Sequence, residues 1–323
     1  FFDRALALIP EGHTGYLWAQ LALYSGLSAH IEGRTDEAIK WFTESISAHN
    51  LRTDMLWERM IFGLAVVYLL RAELARAERH SQELLDEARG TGSAYIRTWA
   101  EYLLGVTAFH GGDLDASRRH FGNVVKDRFV SHTRAAVDSM AGIAIASQLM
   151  GEPEKSEAAL RLARDYAQWS GDSNNLEIVH ACDARIALLR GDLEAAARWQ
   201  RGSTAPPQVP SMLIFLANPC VTECRVLAAL GTDASLKEAA AKLQRLRQEI
   251  TAVHNTCQMI DIVILQSLIL EKQGRGDEAG EALIEAVDLA GPDGWIRPFV
   301  EAGPIMSAML QNLGTMGEET VFI

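Results

Sequence analysis

One polar residue recurs inside each of seven largely apolar stretches: Gln20, Arg59, Thr98, Asp138, Glu177, Asn218 and Asp261. Glu101 and His180 each lie one helical turn beyond a member of this column. A guanidinium among carboxylates and amides can hold a small polar molecule through paired donors and acceptors. Equally, such a column can be a solvated helix face, and both readings stand. Under the first, the contacting residues are Arg59, Glu101, Asp138, Glu177 and His180, with Trp57 or Trp99 as a stacking surface. Covalent or metal chemistry has weaker support. The chain has no glycine-rich phosphate loop with its lysine, no dinucleotide fingerprint, no His-Glu-x-x-His and no Gly-x-Ser-x-Gly, so no catalytic residue is assigned and no enzyme is expected. Cys220 and Cys224 are four apart and His254 and Cys257 three apart, a spacing a metal could use, but buried thiols in a packed helix pair are the stronger reading and no metal is expected.

The elements that must position these residues are legible in Tyr102–Phe121: an apolar run, Gly111-Gly112, then Asp113 opening a second amphipathic run. This is one helix-turn-helix unit, with glycine ending the first helix and aspartate capping the second. The turn residue recurs as Gly33, Ala72, Gly112, Gly151, Gly191, Gly231 and Gly274. A small residue follows it, as Ala38, Ala77, Ala116, Ser156, Ala195, Ala239 and Ala279, at spacings of 39, 39, 40, 39, 44 and 40. A fixed period of this size means stacked units, none of which can bury its apolar face alone. The fold expected is all-α, a right-handed superhelix (an α-solenoid) of about seven helix-turn-helix repeats, with 1–323 as one domain and the first helices lining its concave side. An irregular loop at 202–210, rich in proline, interrupts the array, repeat six carries extra residues before its second helix, and a last helix runs over 304–313 ahead of a frayed tail.

Composition narrows the partners. With 42 Asp plus Glu against 30 Lys plus Arg, the net charge of −12 repels phosphate backbones and anionic bilayers, so neither nucleic acid nor membrane is expected to bind directly. Four cysteines are too few for a disulfide scaffold, and Ile61–Leu70 is too short to span a bilayer, which points to the cytoplasm. The chain opens on Phe1 rather than methionine and reads as a piece of a longer protein.

The closing stretch carries a resemblance. Ala282-Leu283, Ala286, Leu289-Ala290, Gly294-Trp-Ile-Arg-Pro-Phe-Val300 and Gly303-Pro304 resemble the end of the helical-repeat sensor domain of MalT-like, LuxR-type ATP-dependent transcriptional activators of bacteria. The period, longer than a standard tetratricopeptide (TPR) unit, the opening Arg4-Ala-Leu-Ala-Leu-Ile-Pro10 and Arg225-Val-Leu-Ala-Ala-Leu-Gly231 agree with that family. Two departures are mild: Trp295 stands where the family more often has Tyr or Phe, and Glu301-Ala302 where it has an aspartate. The resemblance implies a TPR-like segment that binds a small-molecule inducer and signals to other domains of the same regulator. It places ATP and DNA binding in modules before Phe1 and after Ile323, with no cofactor in this segment. Self-association is a further partner class, and the competing reading is a TPR-like protein–protein scaffold.

Overall fold

The computed structural model describes Arg4 and residues 14–49, 55–202 and 216–316. Among them no strand occurs. The helices form seven pairs in chain order: α1 (Thr14–Ile31) with α2 (Thr35–His49), α3 (Met55–Leu70) with α4 (Leu74–Thr91), α5 (Ala94–His110) with α6 (Leu114–Lys126), α7 (Thr133–Leu149) with α8 (Pro153–Ser170), α9 (Ser173–Leu189) with α10 (Leu193–Gly202), α11 (Pro219–Leu230) with α12 (Asp233–Ala252), and α13 (Thr256–Lys272) with α14 (Gly276–Ala290). A short α15 (Arg297–Glu301) and α16 (Gly303–Met316) follow. The loop expected at 202–210 lies, apart from Gly202 at the end of α10, outside the described residues, as do most of the tail and the opening 5–10 segment.

The turns set the period. All seven turn residues are left-handed: the six glycines have φ between 66° and 93°, and Ala72 has 61°. In five repeats the next N–H then reaches back five residues, to Ala29 O, Tyr68 O, Ser147 O, Ala187 O and Leu270 O at 2.7–3.0 Å, closing the last carbonyls of the first helix. Ala72 takes this conformation at a cost of about 1–2 kcal/mol that glycine would not incur. The second helix starts at once, with Asp113 Oδ1 accepting from Ala116 N (2.8 Å), Asp192 Oδ1 from Ala195 N (3.0 Å), and Pro153 in the first turn of α8.

Two details differ from the sequence expectation. In every repeat but the sixth the most buried small position falls five residues after the turn, so in repeats three and five it is Ser117 and Ala196 rather than Ala116 and Ala195: Ser117 and Ala196 are fully buried, Ala195 only half. In repeat six no extra residues precede the second helix, because Thr232 and Ser235 cap each other's backbone and start it immediately; the surplus length lies within α12, which runs for 20 residues.

The two helices of each pair have different environments. In α4 the buried residues Leu74, Ala77, Ser81, Leu84, Leu85 and Ala88 make one stripe. In α5, by contrast, Thr98–Thr107 is buried without a break, and in α7 so is Ala135–Gly142, which no single face can account for. First helices touch first helices all along the array, α1 to α3 and on through α5, α7, α9 and α11 to α13. The row then curls until α13 meets α3, and Gly33 abuts Ala252, where an added Cβ would stand 2.4 Å from its carbonyl oxygen. Among the described residues the concave side is largely closed.

Glycines make the stacking possible at two layers. Phe42 of α2 sits between Gly26 of α1 and Gly63 of α3, and Phe121 of α6 between Gly105 of α5 and Gly142 of α7; all four would bring a Cβ within 2.7 Å of the ring. Gly105→Ala is therefore expected to destabilise the chain by about 1–3 kcal/mol through overpacking. Gly122→Ala, on α6 with open space around it, should instead gain up to about 1 kcal/mol from helix propensity. Urea unfolding of the two variants checks this, and equal gains at both sites would contradict the packing described.

Candidate functional site

The interior of the ring is crossed by the chain's own segment after α14. Asp293 Oδ2 accepts from Ala75 N at the start of α4 (3.3 Å), and Ile296 N donates to His110 O (3.0 Å). The Arg297 guanidinium donates to Phe109 O (3.4 Å) and Gly112 O (3.1 Å). These are carbonyls at the end of α5, and in this repeat Asp113 makes no five-residue back bond. The strap thus supplies a donor to His110 O and a second donor to Phe109 O and Gly112 O, which already accept from Gly112 N and Leu114 N. Trp295, fully buried, stacks on the His110 ring at 4.0 Å and 16°. Burial, followed by the nearby Arg185, Arg297 and Arg225 charges, holds His110 well below its ordinary pKa, so that ring is neutral.

Beside the strap lies a chain of buried charges on successive first helices. Arg185 of α9 gives Nε and Nη2 to Glu301 Oε2 (3.1 and 2.5 Å) and Nη1 to Leu216 O. Burial works against the Arg185 charge, yet Glu301 holds its pKa above the ordinary value. Arg225 of α11 pairs with Asp261 of α13, whose carboxyl is raised by burial in spite of Arg225 and Arg185. Asp138 of α7 accepts from Tyr102 OH (2.8 Å) and from Leu216 N (3.0 Å). Leu216, the first described residue after the proline-rich loop, is therefore held at both its N–H and its carbonyl.

These groups border a cleft of about 240 Å³ lined by Arg185, Arg225, Lys272 and Glu301 together with Leu188, Ala228, Leu265, Leu268 and Ile305. Lys272 Nζ donates to Ala228 O (2.7 Å). A wider cleft of about 510 Å³ lies at the seam where the array closes, between Asp36 and Arg71 on one wall and Arg247 and His254 on the other. Its arginines are matched by carboxylates of their own walls, Arg71 by Asp36 and Glu73, Arg247 by Glu285. Among the described residues no group of three metal-ligating side chains occurs, and Cys182, Cys224 and Cys257 are buried free thiols.

The residues singled out by sequence are distributed differently. Trp99 is buried against Phe62, Tyr102 and His132, and Trp57 is buried in the core, so neither presents an open ring face. Trp99 and Asp138 meet through Tyr102. Glu101 is bonded to His120 Nδ1 (2.7 Å). Arg59 and His180 are exposed, Glu177 is half-buried, and among the described residues no hydrogen bond or ion pair joins these three to the others. The remaining column members have local roles: Thr98 bonds Tyr95 O (2.8 Å) and Asn218 caps α11 through Cys220 N (2.9 Å). Sequence reading missed Arg185 and Arg225. The available signal was a second column, for both stand six residues before their turn glycines, Gly191 and Gly231.

With this geometry in place, the class of protein is an all-α helical-repeat solenoid whose interior holds a charged strap. The family model described as the MalT-like TPR region matches residues 3–316. The chain belongs to that family. It is also 25% identical over 160 residues to the HTH-type transcriptional regulator MalT of Yersinia enterocolitica, a stretch covering 50% of this chain and 16% of that relative. The chain thus matches only a small part of that relative's length. No helix among the described residues is long and apolar enough to cross a membrane.

Asp138 gives a pH prediction. Burial pushes its carboxyl up to about 7, against the pull of Tyr102, Leu216 and Arg185. The folded chain then keeps a proton that the unfolded chain has released above about pH 4. The contribution is complete below about pH 4 and is lost as pH rises through about 7. The urea-unfolding stability of the wild type relative to Asp138→Asn should fall across that window; parallel curves would contradict the assignment.

Proposed function

We propose that this chain is the effector-sensing unit of a bacterial transcriptional regulator. A small polar molecule binds on the interior side of the superhelix, and its occupancy is passed through the Trp295–Glu301 strap to ATP- and DNA-binding modules elsewhere in the regulator. Family membership supports the regulator, and the similarity to a regulator named for its helix-turn-helix type supports the link to DNA. The observation that carries the sensing role is the set of charged side chains on α9, α11 and α13 that meets the strap beside a cleft. Buried charges are costly unless answered, and here each is answered by a different segment of the chain.

The competing reading, a protein-binding scaffold, fits the geometry less well. A peptide lying along the concave side needs an open groove, whereas contact of α13 with α3 and the strap against α5 fill it. A small molecule needs only the cleft. The candidate contacts accordingly centre on Arg185, Arg225, Lys272 and Glu301, while Asp138 acts from behind by holding Leu216.

The test is a thermal-shift screen of metabolites followed by hydrogen exchange. An effector at about 100 times its Kd should stabilise the chain by about 2.7 kcal/mol and slow exchange at 295–302. Binding of peptides alone, with no metabolite effect, would favour the scaffold. The purified chain is expected to show no ATP turnover in either case.

A further inference from the structure

The 240 Å³ cleft beside the strap has a composition that selects a ligand class. Its charged lining is three cations, Arg185, Arg225 and Lys272, against one carboxylate, Glu301. Arg185 and Glu301 answer each other, and Asp261 answers Arg225 through Nη2. The charge of Lys272 faces only a neutral carbonyl, Ala228 O. The cleft therefore carries a local positive excess in a chain whose net charge is −12. The seam cleft has no such excess, since its arginines are matched within their own walls.

Hydrogen-bonding capacity points the same way. Arg225 Nε and Nη1 and the rest of the Lys272 ammonium are donors with no partner among the described residues. On the acceptor side, the Glu301 side chain is only 3% exposed, its Oε2 is taken by Arg185, and its Oε1, buried behind the cleft wall, has no partner among the described residues. Leu188, Leu265, Leu268 and Ile305 supply apolar walls. A neutral polyol needs donors and acceptors in similar number, which this lining lacks. An acceptor-rich anion with one donor and a short hydrocarbon body matches it. The volume lies below the roughly 300–1,000 Å³ of drug-sized pockets, so the occupant is small.

Building on the sensing role proposed above, we infer that the cleft binds a small aliphatic 2-hydroxy or 2-amino carboxylic acid. The carboxylate lies between Arg225 and Lys272, and the hydroxyl or ammonium donates to the Glu301 carboxylate. Because Glu301 belongs to the strap, this contact ties occupancy to the position of the segment that leads out of the repeats.

Calorimetry with 2-hydroxy and 2-amino acids of three to six carbons, including 2-hydroxy-4-methylpentanoate and leucine, tests the inference beside their amides and beside glucose and sorbitol. At least one acid should bind saturably and its amide at least tenfold more weakly. Lys272→Gln should weaken the acid about tenfold and Lys272→Arg should restore most of the affinity. Residue 272 is exposed and its bond is to a neutral carbonyl, Ala228 O, so the unfolding midpoint without ligand should change little in either variant. Equal binding of acid and amide, unchanged binding in Lys272→Gln, or no binding by any acid overturns the carboxylate assignment. If a neutral metabolite still stabilises the chain and protects 295–302, the sensing role survives that failure. If only peptides bind, both readings fall.

Discussion

The first helices of this chain are buried on several faces over much of their length, and polar groups there have little solvent to satisfy them. The constraint explains why charges inside the ring come in matched sets drawn from distant segments. Arg185 of repeat five meets Glu301 of the strap, Arg225 of repeat six meets Asp261 of repeat seven, and Asp138 of repeat four meets Tyr102 of repeat three and Leu216 beyond the loop. Each bond crosses between repeats or beyond them. The apolar stacking that builds a solenoid is nearest-neighbour only; the Arg185–Glu301 and Asp138–Leu216 bonds reach beyond it.

How much of this was legible in the sequence depends on the range of the interaction. The turns were readable because a left-handed residue is a local demand that glycine meets, and even Ala72 betrayed itself by standing in register. The small-residue column was readable only to within one position, since an alanine lies beside the buried site in repeats three and five and nothing local distinguishes the two. Gly26, Gly63, Gly105 and Gly142 were passed over, although a glycine inside a helix costs about 1 kcal/mol and is a signal of close approach. Curvature was not readable. Whether the row of first helices stays open or closes on itself is the sum of many small rotations, and that sum decides whether a polar column faces a groove or a packed interior.

The same distinction accounts for the redistribution of the candidate site. In an open superhelix a polar residue on a first helix has two options, solvent or a ligand. Closure adds a third, partnership with another segment, and Asp138 and Asp261 take it. Arg185 and Arg225 belong with them but occupy another column, polar in only two repeats, where a search for sevenfold recurrence does not look.

The strap is also the element whose energetics differ most from the rest. Repeats are joined by apolar area, which weakens gradually as surfaces separate. The strap is joined by Trp295 stacking, by Arg297 on the carbonyls of Phe109 and Gly112 around the end of α5, and by the Arg185–Glu301 pair. A buried ion pair adds little net stability when intact, but removing one partner leaves an unanswered charge that costs roughly 3–5 kcal/mol. Withdrawal of Glu301 would strand Arg185 in the interior, so the docked position of the strap is favoured. The strap thus keeps its place through a few directional contacts, and it leads directly into α16 beside the cleft.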